Sequence, residues 1–103
     1  MSTDRVKQLE RLVKAFPDSP MGHFSLGKYY LDAQNWSAAV KCMEEAVRLD
    51  PHYAAAWVAL GDAAAGGGDS MRAKEAYRLA LKTPHGTKDA SLAADIERRL
   101  AEL

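Results

Sequence analysis

Residues 20–53 read PMGHFSLGKYYLDAQNWSAAVKCMEEAVRLDPHY, and residues 54–87 read AAAWVALGDAAAGGGDSMRAKEAYRLALKTPHGT. Laid over one another without a gap, the two stretches agree at the positions that govern packing. Leu26, Gly27, Ala39 and Ala46 of the first fall on Leu60, Gly61, Ala73 and Ala80 of the second, and Met43 falls on Tyr77. Pro17 and Pro51 are separated by the same offset, and Pro84 comes just before the next step. Self-similarity at such a period marks a chain built from stacked supersecondary units, each too small to bury its apolar face alone.

The residue types explain why the period is a packing rule. Glycine inside a helix costs about 1 kcal/mol relative to alanine, so Gly27 and Gly61 point to places where a neighbouring backbone comes close. Ala39, Ala46, Ala73 and Ala80 give the same access from a second helix. Trp57, Leu26, Leu60, Tyr30, Met43 and Tyr77 then fill the space left between paired helices. Pro51 ends its helix because the residue before a proline is pushed out of the α region.

In order, the first stretch gives His23, Leu26, Gly27, Tyr30, Ala39, Met43, Ala46 and Pro51. The second gives Trp57, Leu60, Gly61, Ala64, Ala73, Tyr77 and Ala80. This closely resembles the tetratricopeptide pattern W-x2-L-G-x2-Y, A-x3-F, P. The departures are His23 for Trp, Met43 and Tyr77 for Phe, Ala64 for Tyr, and His85 for Pro. The resemblance implies an all-α solenoid of helical hairpins, with one repeat over 20–53 and a second over 54–87.

Outside that span the pattern is partial. Val6, Leu9, Leu12, Val13 and Phe16 lie at helical spacing, and Pro17 holds the repeat's proline position, so residues 4–17 read as the second helix of a half-repeat. Pro20 suits the first turn of the next helix, and Asn35 and Asp69 suit N-caps. After Thr83-Pro84-His85-Gly86 the repeat register would bury Ser91, Ala94, Asp95 and Arg98. The apolar stripe is instead Leu92, Ile96, Leu100 and Leu103. Residues 88–103 therefore read as a rotated capping helix with its charges in water, the last of about six helices in a single domain.

Composition bounds the function. The chain has 103 residues, 48% hydrophobic and 27% charged, with 14 basic residues balancing 14 acidic ones. A neutral chain lacks the basic footprint of a nucleic-acid or membrane-surface binder. No apolar run approaches the roughly 18 residues of a membrane span. The start, Met1-Ser2-Thr3-Asp4-Arg5, leads into an amphipathic segment rather than a secretory signal. One cysteine, Cys42, excludes an internal disulfide and fits a reducing compartment, so a cytoplasmic location is expected.

The resemblance also locates a site. Its concave positions fall on Met21, Phe24, Ser25, Lys28 and Leu31 in the first repeat, and on Ala55, Val58, Ala59, Asp62 and Ala65 in the second. The family's carboxylate-gripping subgroup would need more Lys, Asn and Arg there, and only Lys28 matches. A groove for an apolar or amphipathic protein segment is the reading this set supports, with Phe24 and Leu31 as anchors. The alternative is self-assembly, a homodimer or an exchanged cap helix covering the same surface.

Other features read as structural. Gly66-Gly67-Gly68-Asp69-Ser70 lacks the Gly-Lys-Ser/Thr ending of a phosphate loop and joins helix to helix, so it serves as a helix stop and a flexible elbow. Lys74, Arg78 and Lys82 form a basic stripe read as a solvated face. His23 stands at a packing position and His52 and His85 in turns, without ligand partners at metal spacing. Cys42 has no base beside it. No catalytic constellation, metal site or cofactor is expected.

Overall fold

Short polar side chains stop and restart the helix along this chain. Asn35 Oδ1 accepts from the Ala38 amide at 3.4 Å, and Asp69 Oδ1 accepts from the Arg72 amide at 3.0 Å. Thr83 Oγ1 accepts from Gly86, and Asp89 Oδ1 from Leu92, each at 3.0 Å. Each bond satisfies an amide that the first turn of a helix leaves without a partner. The computed structural model describes residues 2–103, so Met1, where the expected leaderless start begins, lies outside the described residues.

Among the described residues there are seven helices and no strand. They are α1 (Ser2–Ala15), α2 (Pro20–Asp32), α3 (Trp36–Leu49), α4 (Ala54–Gly66), α5 (Ser70–Lys82), α6 (Pro84–Lys88) and α7 (Ala90–Ala101). The turn after α2 holds Gln34 with φ of 59°, and the turn after α4 holds Gly68, at the equivalent position of the next repeat, with φ of 86°. In both turns the next amide reaches back to close the helix: Asn35 to the Tyr30 carbonyl and Asp69 to the Ala64 carbonyl, at 2.8 Å each. That closure needs a left-handed residue, which glycine adopts freely and glutamine does not.

Neighbours in sequence are neighbours in space. α2 pairs with α3 and α4 with α5; α1 packs on α2, α3 on α4, and α5 on α7. The inner core joins Met43, Ala46, Val47, Ala56, Ala59, Leu60 and Ala76. A second cluster joins Ala64, Ala73, Tyr77 and Ala80 to Ile96 of α7. The glycines make room for the paired helix as expected, but what fills the room is a side chain and not a backbone. A Cβ on Gly27 would stand 2.8 Å from Met43 Cε, and one on Gly61 would come closer than 3.0 Å to the Tyr77 ring.

The ring at the head of each pair is also tied in the same way. Trp57 Nε1–H donates to the Pro51 carbonyl at 2.7 Å. His23, its counterpart one repeat earlier, places Nε2 at 2.9 Å from the Pro17 carbonyl, which only accepts, so the ring carries its proton on Nε2. The histidine that departs from the repeat pattern thus keeps the tryptophan's hydrogen bond.

Two expectations need correction at the end of the chain. The Thr83–Gly86 turn is the start of a short helix, α6, and the final helix begins at Ala90 rather than near Lys88. Ile96, fully buried on Tyr77 and Ala80, does what Leu60 does on Met43 and Ala46. An unbroken register would set Ala94 in that role, two positions earlier. The segment around α6 therefore lengthens this unit by two positions. The stripe that looked rotated is the repeat's own stripe, displaced by that insertion.

Candidate functional site

The repeat equivalence sets Met21, Phe24, Ser25 and Lys28 of α2 level with Ala55, Val58, Ala59 and Asp62 of α4, on helices that touch. On α2 the row is open. Met21 is 68% exposed. Phe24 leans on Tyr53 with ring centroids 5.0 Å apart, and Phe24 and Leu31 are half-buried against the inner core. Ser25 is half-buried, while Lys28 is exposed and pairs with no carboxylate among the described residues.

On α4 the row is largely engaged within the chain. Ala55 is exposed, but Ala59 is buried in the inner core and adds no surface. Val58 and Ala65 are half-buried against the cluster that holds Ile96. Asp62 takes the Tyr77 Oη–H at 2.6 Å, and Arg99 Nη1–H reaches both carboxylate oxygens at 2.6 and 2.7 Å. Arg99 Nε also donates to Asp95 at 3.2 Å.

The charges of α7 expected in water are thus partly drawn inward. Burial, then the Asp62 carboxylate, push the Tyr77 hydroxyl well above the usual phenol range. Burial alone would disfavour the Arg99 guanidinium, and the carboxylates of Asp62 and Asp95 outweigh it, holding the group above its usual value. Asp62 locks α4, α5 and α7 together instead of offering a free charge.

The displaced register adds a third row that fixed-period reading missed. Once the insertion is allowed for, Ser91, Ala94, Asp95 and Arg98 of α7 are the counterparts of Ala55, Val58, Ala59 and Asp62. All four line a cleft of about 690 Å³ along α7, with Asp89 and Leu92. Ser91, Ala94 and Arg98 are exposed, and Arg98 is paired with Asp95. The surface therefore grades from apolar around the Lys28 cation on α2, through a neutralised centre on α4, to polar on α7.

The remaining candidates resolve into packing. Trp36 lies over the glycine turn: a Cβ on Gly66 would stand 2.6 Å from its ring, and one on Gly67 3.3 Å from its Cβ. Two of the three glycines thus make room for an indole from the preceding turn, and Gly68 supplies the left-handed φ. Beside Trp36 a cleft of about 590 Å³ runs between α3 and α5, spanned by the Arg72–Glu44 pair at 2.8 Å. Lys74, Arg78 and Lys82 are exposed. Burial pushes the Cys42 thiol up, away from reactivity. Among the described residues no group of three or more His, Cys, Asp or Glu is placed to hold a metal, and no helix is long and apolar enough to cross a membrane.

Comparison with known proteins gives a consistent picture. A family model described as tetratricopeptide repeat matches residues 24–90. The TPR repeat-containing protein PA0015 of Pseudomonas aeruginosa is 36% identical over 87 residues, covering 82% of this chain and 83% of that protein. The anaphase-promoting complex subunit CDC16 of Saccharomyces cerevisiae is 36% identical over 72 residues, 70% of this chain but 9% of that much longer protein. The solution structure of BPP2914 from Bordetella parapertussis superposes with a TM-score of 0.78 at 27% identity, over 94% of this chain and 84% of that one. A structure of MamA superposes with a TM-score of 0.77 at 21% identity, over 98% of this chain and 55% of MamA, a likeness of fold alone.

Proposed function

Because this chain belongs to the tetratricopeptide repeat family, whose domains generally mediate protein–protein interaction, we propose that it is a binding module for an apolar or amphipathic segment of another protein. The units run over 20–53 and 54–87, the second lengthened to 89 by the insertion, with a half-repeat helix at 4–17 and the α7 row closing the far end. The segment lies along the rows of α2, α4 and α7, anchored at the α2 end. The observation that carries this reading is the open α2 row. Met21, Phe24 and Leu31 offer apolar surface around Lys28, a cation with no carboxylate partner among the described residues. Exposed apolar residues gathered beside an uncompensated charge are what an amphipathic partner needs. The module works without chemistry of its own. Membership of a multi-protein complex by one relative, the yeast subunit, supports a role in assembly.

The test uses substitutions at exposed positions, which leave the core intact. Wild-type protein and a Met21→Glu, Lys28→Glu variant, both checked for helical content, are used as bait in the source cell's lysate. The captured protein is identified, and its binding segment is then titrated as a peptide. The proposal requires one partner retained by wild type and at least about tenfold weaker binding by the variant, a loss of about 1.4 kcal/mol. Equal binding by both proteins places the contact elsewhere and sinks the reading.

A further inference from the structure

α1 and α7 are unmatched halves of a helix pair at opposite ends of the fold. α1 packs with Leu9 buried and Val6 and Val13 half-buried, and these are the repeat counterparts of Val40, Met43 and Val47 of α3, which face α4. α1 thus packs as the second helix of a pair does, and α7, through Ile96, as a first helix does; among the described residues neither has the other member of its pair. A second copy of this chain could lay its α1 against the open side of α7, head to tail, and complete a pair.

The side chains on those open faces depart from the inner pairs at the places where contact is closest. Ala39 and Ala73 are fully buried; their counterpart on α1 is Arg5, which is exposed. Gly27 and Gly61 sit so close to Met43 and Tyr77 that neither tolerates even a methyl group without movement. Their counterpart on α7, allowing for the insertion, is Glu97, also exposed. Burying either charge at a close-packed helix seam is costly, and Glu97 has no room there at all. We propose that Arg5 and Glu97 are specificity determinants: the two end faces have the backbone arrangement to stack copies of this chain head to tail, and these side chains prevent it. A head-to-tail contact does not close on itself, so this pair stands between a discrete protein and an open filament.

Light scattering over a range of concentration tests the proposal. Wild type should hold the 11.3 kDa mass of one chain. An Arg5→Ala, Glu97→Gly variant should rise past twice that mass as concentration increases. The two single variants should each stay at one chain when alone and form a one-to-one pair when mixed, because only one junction is then open. Glycine at 97 weakens α7 as a helix, so Arg5→Ala, Glu97→Ala serves as a second pair, associating at about tenfold higher concentration because a methyl remains. Two results overturn the proposal: folded double variants that both stay at one chain, or a wild type that already associates and is weakened by either substitution.

Discussion

Replacing Asp62 by alanine removes three donor contacts at once, and their geometry sets the expected loss. The Tyr77 hydroxyl and the Arg99 guanidinium reach the carboxylate at 2.6–2.7 Å. Side-chain exposure of 27% for Asp62 and 33% for Arg99 puts the pair between the buried and surface regimes. A hydrogen bond to a charged group contributes about 1.5–3 kcal/mol when buried, and an exposed ion pair about 0–1 kcal/mol. About 1 kcal/mol for each partner, and so about 2 kcal/mol in all, is the expectation, softened because Arg99 keeps Asp95. Asp62→Asn keeps an acceptor for Tyr77 and should lose about half as much. The assay is urea unfolding with an unchanged slope, combined with a double-mutant cycle. Coupling between Asp62→Ala and Arg99→Ala should be about 1 kcal/mol. The exposed Glu45–Arg48 pair on α3 should show no measurable coupling. An Asp62→Ala protein within about 0.5 kcal/mol of wild type, or equal coupling for the two pairs, would refute the lock.

Three further outcomes follow from local geometry. Gly66→Ala drives a Cβ into Trp36, whose ring stands 2.6 Å away; about 1–3 kcal/mol of stability should be lost and the indole emission should shift to the red, whereas an unchanged spectrum would place the ring elsewhere. Gln34→Gly relieves a left-handed glutamine at φ 59° and should raise stability by about 0.5–1 kcal/mol in thermal unfolding, with a loss counting against the strain. Asp89 is held below the usual carboxylate range chiefly by the Leu92 amide it caps, with His85 helping. A lowered folded value means the cap's contribution is present above the unfolded pKa of about 4 and fades as pH falls through the folded value. Once the pH dependence of intrinsic exchange is divided out, amide protection at the start of α7 should therefore fall in acid for wild type, and stay level for Asp89→Asn.

The parts of the fold legible in sequence were those where one residue type answers one local demand. Gly61 announced the close approach of Tyr77, and Asn35 and Asp69 announced caps, because each requirement is met by few side chains. α6 was illegible: so short a helix carries no period, and Thr83 caps Gly86 inside what reads as an ordinary Pro-Gly turn. The insertion it brings then hid the α7 row: an unbroken register would have buried Ser91, Ala94, Asp95 and Arg98, so the helix read as a rotated cap and not as the next row, whose residues face a cleft. The Asp62–Arg99 bond was hidden for another reason. A charged pair so far apart in sequence leaves no pattern, and either residue alone reads as a solvated surface group. The glycine turn read as an elbow because nothing in its own sequence records the indole that lies on it.

The order in which the helices touch also bears on how the protein comes into being. Each helix finds its main partner within the next one or two elements, so during synthesis the chain can settle pair by pair, with little loop-closure entropy to overcome at any step. The lock at Asp62 must wait longer, because Arg99 lies 37 residues further on. At about 5–20 residues per second the ribosome takes roughly 2–7 s to reach Arg99 after Asp62 has been added. Until α7 docks, the seam that α4 and α5 form from Ala64, Ala73, Tyr77 and Ala80 lacks its Ile96 cover. α7 therefore acts as a seal on a seam built before it, and a released chain cut short before Ile96 would present a chaperone with one short, well-defined hydrophobic strip.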